Sequence, residues 1–246
     1  MNTNDTPKIL GISGKKQSGK NTKANYIHGN ILRNLGLAKD FYIDESGSLI
    51  ILTLNKDGDK GWGEFDVTRK DAEFVEYAQY NLWPHVKMYS FADGLKGLCV
   101  EFFGLKPEQV YGTDAQKNTT TEIKSPETGE LMTAREFMQY FGTDVMRQLH
   151  EPVHVNHAIS KILSEQSELS IIPDVRFPNE VEAIQNAGGK VIRLTRSTRN
   201  DEHASECALD EGEFDWANFD AIIDNDCPME EALVRFGDTY NNLFLL

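Results

Sequence analysis

Short apolar runs of strand length alternate along the chain with stretches whose apolar residues keep helical spacing. Ile9-Leu10-Gly11-Ile12 is the first such run, and the glycine-containing stretch 13–22 and a mixed segment to Leu35 follow it, which predicts strand, glycine loop and helix. The alternating residues 86–91 lead into apolar Ala92–Phe103, predicting a strand that ends near Phe91 and a helix that Gly104 stops. Thr133-Ala134-Arg135-Glu136 has capping-box form and opens a helix with Phe137, Met138, Phe141, Val145 and Leu149 on its apolar side. Another helix is expected from Val153 to Leu163. A buried strand at Leu169–Ile172 runs into Pro173-Asp174-Val175-Arg176, and Pro173, which has no N–H to donate, is expected to mark where pairing stops. A helix at 179–187 ends at Gly188-Gly189, and strand 190–195, strand 221–223 and a helix from Pro228 close the chain.

Three stretches break this rhythm. Residues 40–85 read as an inserted β-hairpin and connector, with a turn at Asp44-Glu45-Ser46-Gly47. Residues 105–132, rich in Thr, Gly and Pro, read as a mobile, exposed excursion outside the core, and 196–219 as a charged, irregular, lid-like segment. The remainder predicts an α/β fold: a parallel sheet with helices on both faces, in one domain spanning 1–246.

The length, 246 residues, suits one large α/β domain or a domain with an insertion, and 39% apolar residues can build a core. The net charge of −14 argues against a general nucleic-acid binder or a polybasic membrane protein, so any anion site must draw on locally concentrated positive charge. Cys99, Cys207 and Cys227 are odd in number, far apart and without metal-ligand spacing, and read as reduced thiols. With a polar start to the chain and no apolar run of spanning length, the expectation is a soluble protein of the cytoplasm.

The strongest chemical signal is Gly14-x-x-x-x-Gly19-Lys20-Asn21-Thr22 between a strand and a helix. Phosphate binding needs inward backbone N–H groups, a helix N-terminus behind them and a lysine that reaches the β- and γ-phosphates. The strict pattern has Ser or Thr directly after the lysine. Here Asn21 stands there and Thr22 comes one later, a spacing found in nucleotide monophosphate kinases. No Asn-Lys-x-Asp tetrad for reading guanine is present. Open α/β sheets bind ligands at the carboxyl ends of their strands, which directs attention to Asp93 and Lys96, to Asp174 and Arg176, and to Arg193, Arg196 and Arg199 beside Lys190. Each has a plain structural reading as well. Asp93 is open to being a helix cap, Asp174 and Arg176 to pairing with each other, and the arginines to forming a solvated face instead of a lid over phosphates.

Together, Gly14–Thr22, Phe91–Lys96, Arg135–Asp144, Pro173–Glu180 and His203–Glu206 resemble the deoxynucleoside monophosphate kinases of bacteriophages. The P-loop is shared with many families; the combination of Gly142-Thr143-Asp144 with Asp174-x-Arg176 is more specific. The resemblance implies a three-layer P-loop kinase with five parallel strands that moves the γ-phosphate of ATP, with Mg²⁺, onto a deoxynucleoside 5′-monophosphate. It implies that Gly14, Lys15, Gln17, Ser18, Gly19, Lys20, Asn21 and Thr22 hold ATP, with Thr22 near the metal. Lys16, Leu95, Lys96, Arg135, Gly142, Asp174, Arg176 and Glu180 are then substrate-binding, while Lys20, Asp174 and the lid residue Arg196 are catalytic. His203 and Ser205 fall where the family closes over its ligands. Where some members carry a tryptophan that stacks on the base, this chain has His154, open to being a helix-surface histidine, and Gln116 and Lys117 fall in the region of the family's acceptor arm. Two rival readings stay open: another P-loop small-molecule kinase, of dephospho-coenzyme A or shikimate type, and a non-catalytic ATP-binding regulatory or assembly protein. The hairpin at 41–54 is a candidate dimer edge or docking surface.

Overall fold

The strand Lys8–Ser13 (β1) is buried along nearly its whole length, which only the middle of a sheet covered on both faces allows. The computed structural model describes residues 7–54, 58–196 and 207–244. The strands are β1, Asp40–Ile43 (β2), Leu49–Leu54 (β3), Lys60–Glu64 (β4), Val86–Met88 (β5), Thr120–Lys124 (β6), Leu131–Thr133 (β7), Leu169–Val175 (β8), Lys190–Thr195 (β9) and Ala221–Asp224 (β10). The helices are Lys20–Asn34 (α1), Ala72–Asn81 (α2), Asp93–Glu101 (α3), Pro107–Tyr111 (α4), Asp114–Lys117 (α5), Ala134–Gln139 (α6), Val153–Glu165 (α7), Pro178–Asn186 (α8) and Met229–Phe244 (α9). A π-helical segment, Tyr140–Arg147, continues α6.

The chain divides into two compact units, Met1–Tyr89 with Ile162–Leu246, and Ser90–Lys161. The first holds a parallel five-stranded sheet, as the sequence predicted, and its strand order is β10-β9-β1-β8-β5. The chain leaves β1 toward one edge and later returns to its other side, so the carboxyl end of β1 lies at the point where strand order reverses. Leu10, Ile12, Ile171, Ile192 and Leu194 join Ala24 and Ile27 of α1 and Phe236 of α9 in one core. On the opposite face Gly11 lets α8 come close: a Cβ there would lie 2.7 Å from Ile184 Cδ1. Pro173 does not end the pairing. The ladder slips past it, with Gly11 opposite Ile172 and Ser13 opposite Val175.

The insertion is larger than a hairpin. β2, β3 and β4 form a three-stranded antiparallel sheet, followed by α2, whose Asp71 side chain caps it by accepting from the Phe74 N–H. Gly29 of α1 faces the ring of Phe41 so closely that a Cβ would fall 2.3 Å from it, and this docks the small sheet on α1.

The second unit has its own core of Leu95, Cys99, Leu105, Val110, Met132, Ala134 and Phe137. The expectation that 105–132 lies outside the core is corrected here: Leu105, Val110 and Met132 are buried, and α4, α5 and the β6–β7 hairpin surround them. The helix after the capping box also departs from expectation, because from Tyr140 it widens into a π-helix instead of continuing as α.

His28 on α1 is wholly buried, its Nδ1 3.1 Å from the Ala24 carbonyl, and burial pushes its pKa down to about 4. An unfolded histidine titrates near 6.5, so between these values the unfolded chain binds more protons and stability falls as pH falls. The expected loss on going from pH 7 to below 4 is about 3 kcal/mol from this group. Denaturant melts across that window check it, since His28→Asn should flatten the pH slope by that amount, and an unchanged slope would remove the assignment.

Candidate phosphate-transfer site

The loop between β1 and α1 is built from backbone that only glycine tolerates at its two ends. Gly14 has φ +155° and Gly19 has φ +89°; a Cβ at Gly14 would fall 2.4 Å from Ser18 Oγ and 2.9 Å from the Leu194 carbonyl. Gln17, between them, takes the left-handed conformation at φ +63°, a strain that side-chain-bearing residues accept mainly at functional turns. The Ser18 N–H donates to the Lys15 carbonyl at 3.1 Å. Lys20 Nζ donates to the Gly14 carbonyl and, at 2.7 Å, to that of Lys15, which holds the ammonium against the loop. Ser18 Oγ is buried inside this curl without a hydrogen-bond partner among the described residues, a cost that an oxyanion would relieve.

Residues remote in sequence brace the loop. Asn225, just past β10, donates from Nδ2 to the Ser18 carbonyl at 2.6 Å, while its own N–H donates to Thr195. Arg193 is 5% exposed: its guanidinium donates to Ser13 Oγ at 2.9 Å, lies 3.7 Å from Asp210, and sits 5.4 Å from the centre of the Trp216 ring. Asp210 also pairs with Lys15 at 2.6 Å. Arg193 is thus an internal strut and not a lid residue, and Lys190 pairs with Asp220 near the other end of β9, so the basic cluster expected there is not one cluster in space. Arg196 is exposed and close enough to Lys23 of α1 to help lower that buried amine to about 8, after burial itself, with Cys227 opposing. Arg199, His203 and Ser205 lie outside the described residues.

The β1–β8 register sets Val175 beside Ser13, so Asp174 and Arg176 flank the loop. Glu180, 2% exposed, accepts from the Arg176 N–H at 2.7 Å and the Phe177 N–H at 3.1 Å; it caps α8 and fixes the turn that carries Arg176. Lys16 and Asn21 are exposed. Thr22 has an unexpected neighbour: its Oγ1 would lie 2.3 Å from a Cβ at Gly47, so the turn of the inserted sheet packs on the hydroxyl expected near the metal.

In the second unit, Arg135 donates to Asp114 at 2.6 Å and to Asn118 Oδ1 at 3.0 Å, and Lys96 lies over the Tyr111 ring. Lys117 joins them, its pKa lowered chiefly by burial and then by Lys96, with Asp114 opposing and Arg135 adding. Three cations therefore face one region. Leu95 packs into the core of this unit, where it would meet a Cβ at Gly142 at 2.6 Å. His154 is buried with Nε2 3.0 Å from the Gly142 carbonyl in the π-helical segment, not on the helix surface. A cavity of about 420 Å³ lies between α3 and α7, lined by Asp93, Leu95, Leu98, Met146, His154 and His157 among others. Gln116 is occupied in capping α5.

A glycine loop with its lysine at the switch point of a parallel five-stranded sheet defines a P-loop nucleotide-binding fold. The profile of the deoxynucleotide monophosphate kinase family matches residues 89–235, well over half of the chain. A protein of Acanthamoeba polyphaga mimivirus that carries the provisional name deoxynucleotide monophosphate kinase is 32% identical over 156 residues, covering 58% of this chain and 76% of the relative. The chain belongs to the deoxynucleotide monophosphate kinase family. No described helix is long and apolar enough to cross a membrane.

Proposed function

We propose that the chain transfers the γ-phosphoryl group of ATP to the 5′-phosphate of a deoxynucleoside monophosphate, and that the residues described above divide that work. The observation that carries this reading is the strained loop with its unpartnered Ser18 hydroxyl and its Lys20 ammonium, in a chain of this family. ATP phosphates would lie along Gly14–Thr22, with Lys20 neutralising charge between donor and acceptor. The acceptor phosphate would be held by Lys96, Lys117 and Arg135, and the cavity beside Leu95 is the size for a base and sugar. An acceptor oxygen, already anionic, attacks the γ-phosphorus as the bond to the β–γ bridging oxygen breaks. ADP leaves with that electron pair, so no strong general base is required.

The donor set also fits Mg²⁺, which usually takes most of its oxygens from phosphates and water and one or two from carboxylates. Asp174, next to Val175 in the β1–β8 register, would supply such a carboxylate, and the ion would neutralise charge on the transferring group. Glu180 positions Arg176 through the backbone, and Arg196 remains the candidate for closing over the phosphates. Lys15 and Arg193 hold the loop in shape through Asp210.

An ADP-release assay with Mg-ATP and each ribo- and deoxynucleoside monophosphate in turn tests the proposal. The expected result is turnover with one or more deoxynucleotides. ATP binding without turnover on any monophosphate would favour a regulatory nucleotide-binding protein, and turnover only on other small-molecule acceptors another P-loop kinase.

A further inference from the structure

The inserted sheet presents an open edge that the kinase reaction does not use. In the β2-β3-β4 sheet all of β4 is exposed, and among the described residues no strand pairs with its outer side. The Phe65 N–H donates to the Leu49 carbonyl at 2.8 Å, which makes 49 and 65 a hydrogen-bonded pair. Antiparallel pairs alternate, so Gly63 and Gly61 bond inward to Ile51 and Thr53, whereas Lys60, Trp62 and Glu64 turn their N–H and C=O groups to the open edge. Three outward donors and acceptors on a short exposed strand are a template for another strand.

The side chains point to which strand fits. The segment Lys60-Gly61-Trp62-Gly63-Glu64 is complementary to itself when reversed. In a two-fold antiparallel pairing centred on Trp62, every outward-bonding residue of one copy meets an outward-bonding residue of the other. Lys60 then faces the partner subunit's Glu64, Glu64 faces the partner subunit's Lys60, and the two tryptophans meet at the axis. Opposite charges in facing positions stabilise such a pair, and two-fold symmetry counts the contact twice.

The glycines supply an independent observation. A Cβ at Gly61 or Gly63 would have no atom within 4 Å, and neither has the positive φ that favours glycine. Nothing in the packing of the described residues accounts for them, although glycine weakens a strand by roughly 0.5–1 kcal/mol relative to alanine. Without side chains at 61 and 63 the face of β4 opposite Trp62 is bare, so nothing there obstructs a strand added at the edge. On the other face of the strand Trp62 packs edge-on against Tyr42 at 5.2 Å, and these two with Leu54 are about half exposed, which leaves aromatic surface beside the proposed axis.

We propose that β4 is a homodimerisation edge, pairing with β4 of a second copy about Trp62 to make one continuous six-stranded sheet. Sedimentation of the full chain from about 1 to 100 µM should give a species of twice 27.8 kDa. Lys60→Glu alone and Glu64→Lys alone each place like charges opposite one another at both ends of the pairing and should weaken dimerisation about tenfold. Mixing the two variants, or combining both changes in one chain, recreates the opposite-charge register and should restore it. Both side chains are exposed and neither is among the residues assigned to the kinase reaction, so deoxynucleotide kinase turnover serves as the check that each variant is folded, and it tests a different claim. A wild-type monomer throughout the series would overturn the proposal, and so would a dimer that ignores the single reversals or that mixing fails to restore.

Discussion

Replacing Lys20 by methionine should leave a folded protein with turnover lower by on the order of 10³-fold. The lysine stem runs along the loop, and its ammonium donates to the Gly14 and Lys15 carbonyls. Methionine keeps most of the stem and removes the charge. The two exchanged hydrogen bonds are part-buried, so their loss should cost about 1 kcal/mol of stability, a small shift of melting temperature. The catalytic loss is larger because the charge is needed most where negative charge crowds between donor and acceptor, and a preorganised donor contributes about 3–4 kcal/mol at such a place. The informative measurement is kcat/KM on a deoxynucleotide beside the melting temperature of the same sample. Near wild-type turnover in a folded variant would remove Lys20 from the transferring phosphate. A collapse in melting temperature would instead make it a structural strut.

What could be read from the sequence was local. The β1–loop–α1 unit announces itself within the stretch 8–35, because glycine spacing, lysine and flanking periodicity lie side by side. Asp174 and Arg176 were reachable through the rule that ligands gather at strand carboxyl ends, and the same rule applied to β10 would have singled out Asn225. Asp210 offers no such signal. Its partners Lys15 and Arg193 meet it only after folding, and the charged segment around it reads as solvent-facing. Lys190 and Arg193 look clustered in sequence, but three residues along an extended strand are about 10 Å apart, enough to send them to different partners. Residues 105–132 misled for a related reason: Leu105, Val110 and Met132 are sparse among turn-forming residues, yet each is a buried core contact. The π-helical turn at Gly142 was invisible because the apolar positions after Phe137 also suit an α-helix. What distinguishes it is the bond between the Gly142 carbonyl and His154, a residue beyond the helix.

The acceptor side should answer differently to substitution. Arg135→Met and Lys117→Met are each expected to raise KM for the deoxynucleoside monophosphate about tenfold to a hundredfold, the range for one charge-assisted hydrogen bond of roughly 1.5–3 kcal/mol, while KM for ATP stays close to wild type. Arg135 is oriented by Asp114 and Asn118 and retains further N–H donors, and its fork suits a phosphate monoester. Lys117 adds a pH signature. Its pKa is lowered mainly by burial and then by Lys96 and Arg135, so the free enzyme loses this cation at a lower pH than an ordinary lysine would. As pH rises through that value the site loses a positive charge and affinity for the dianionic acceptor falls. The alkaline limb of kcat/KM for the monophosphate should therefore vanish in Lys117→Met, which starts from the weaker level, and move upward in Lys117→Arg, whose charge persists. If the cluster were only a surface ion-pair network, these variants would change the melting temperature slightly, leave both KM values alone and keep the alkaline limb where it is. The split between the two Michaelis constants, read together with the pH profile, assigns the cations to the acceptor phosphate or denies them that role.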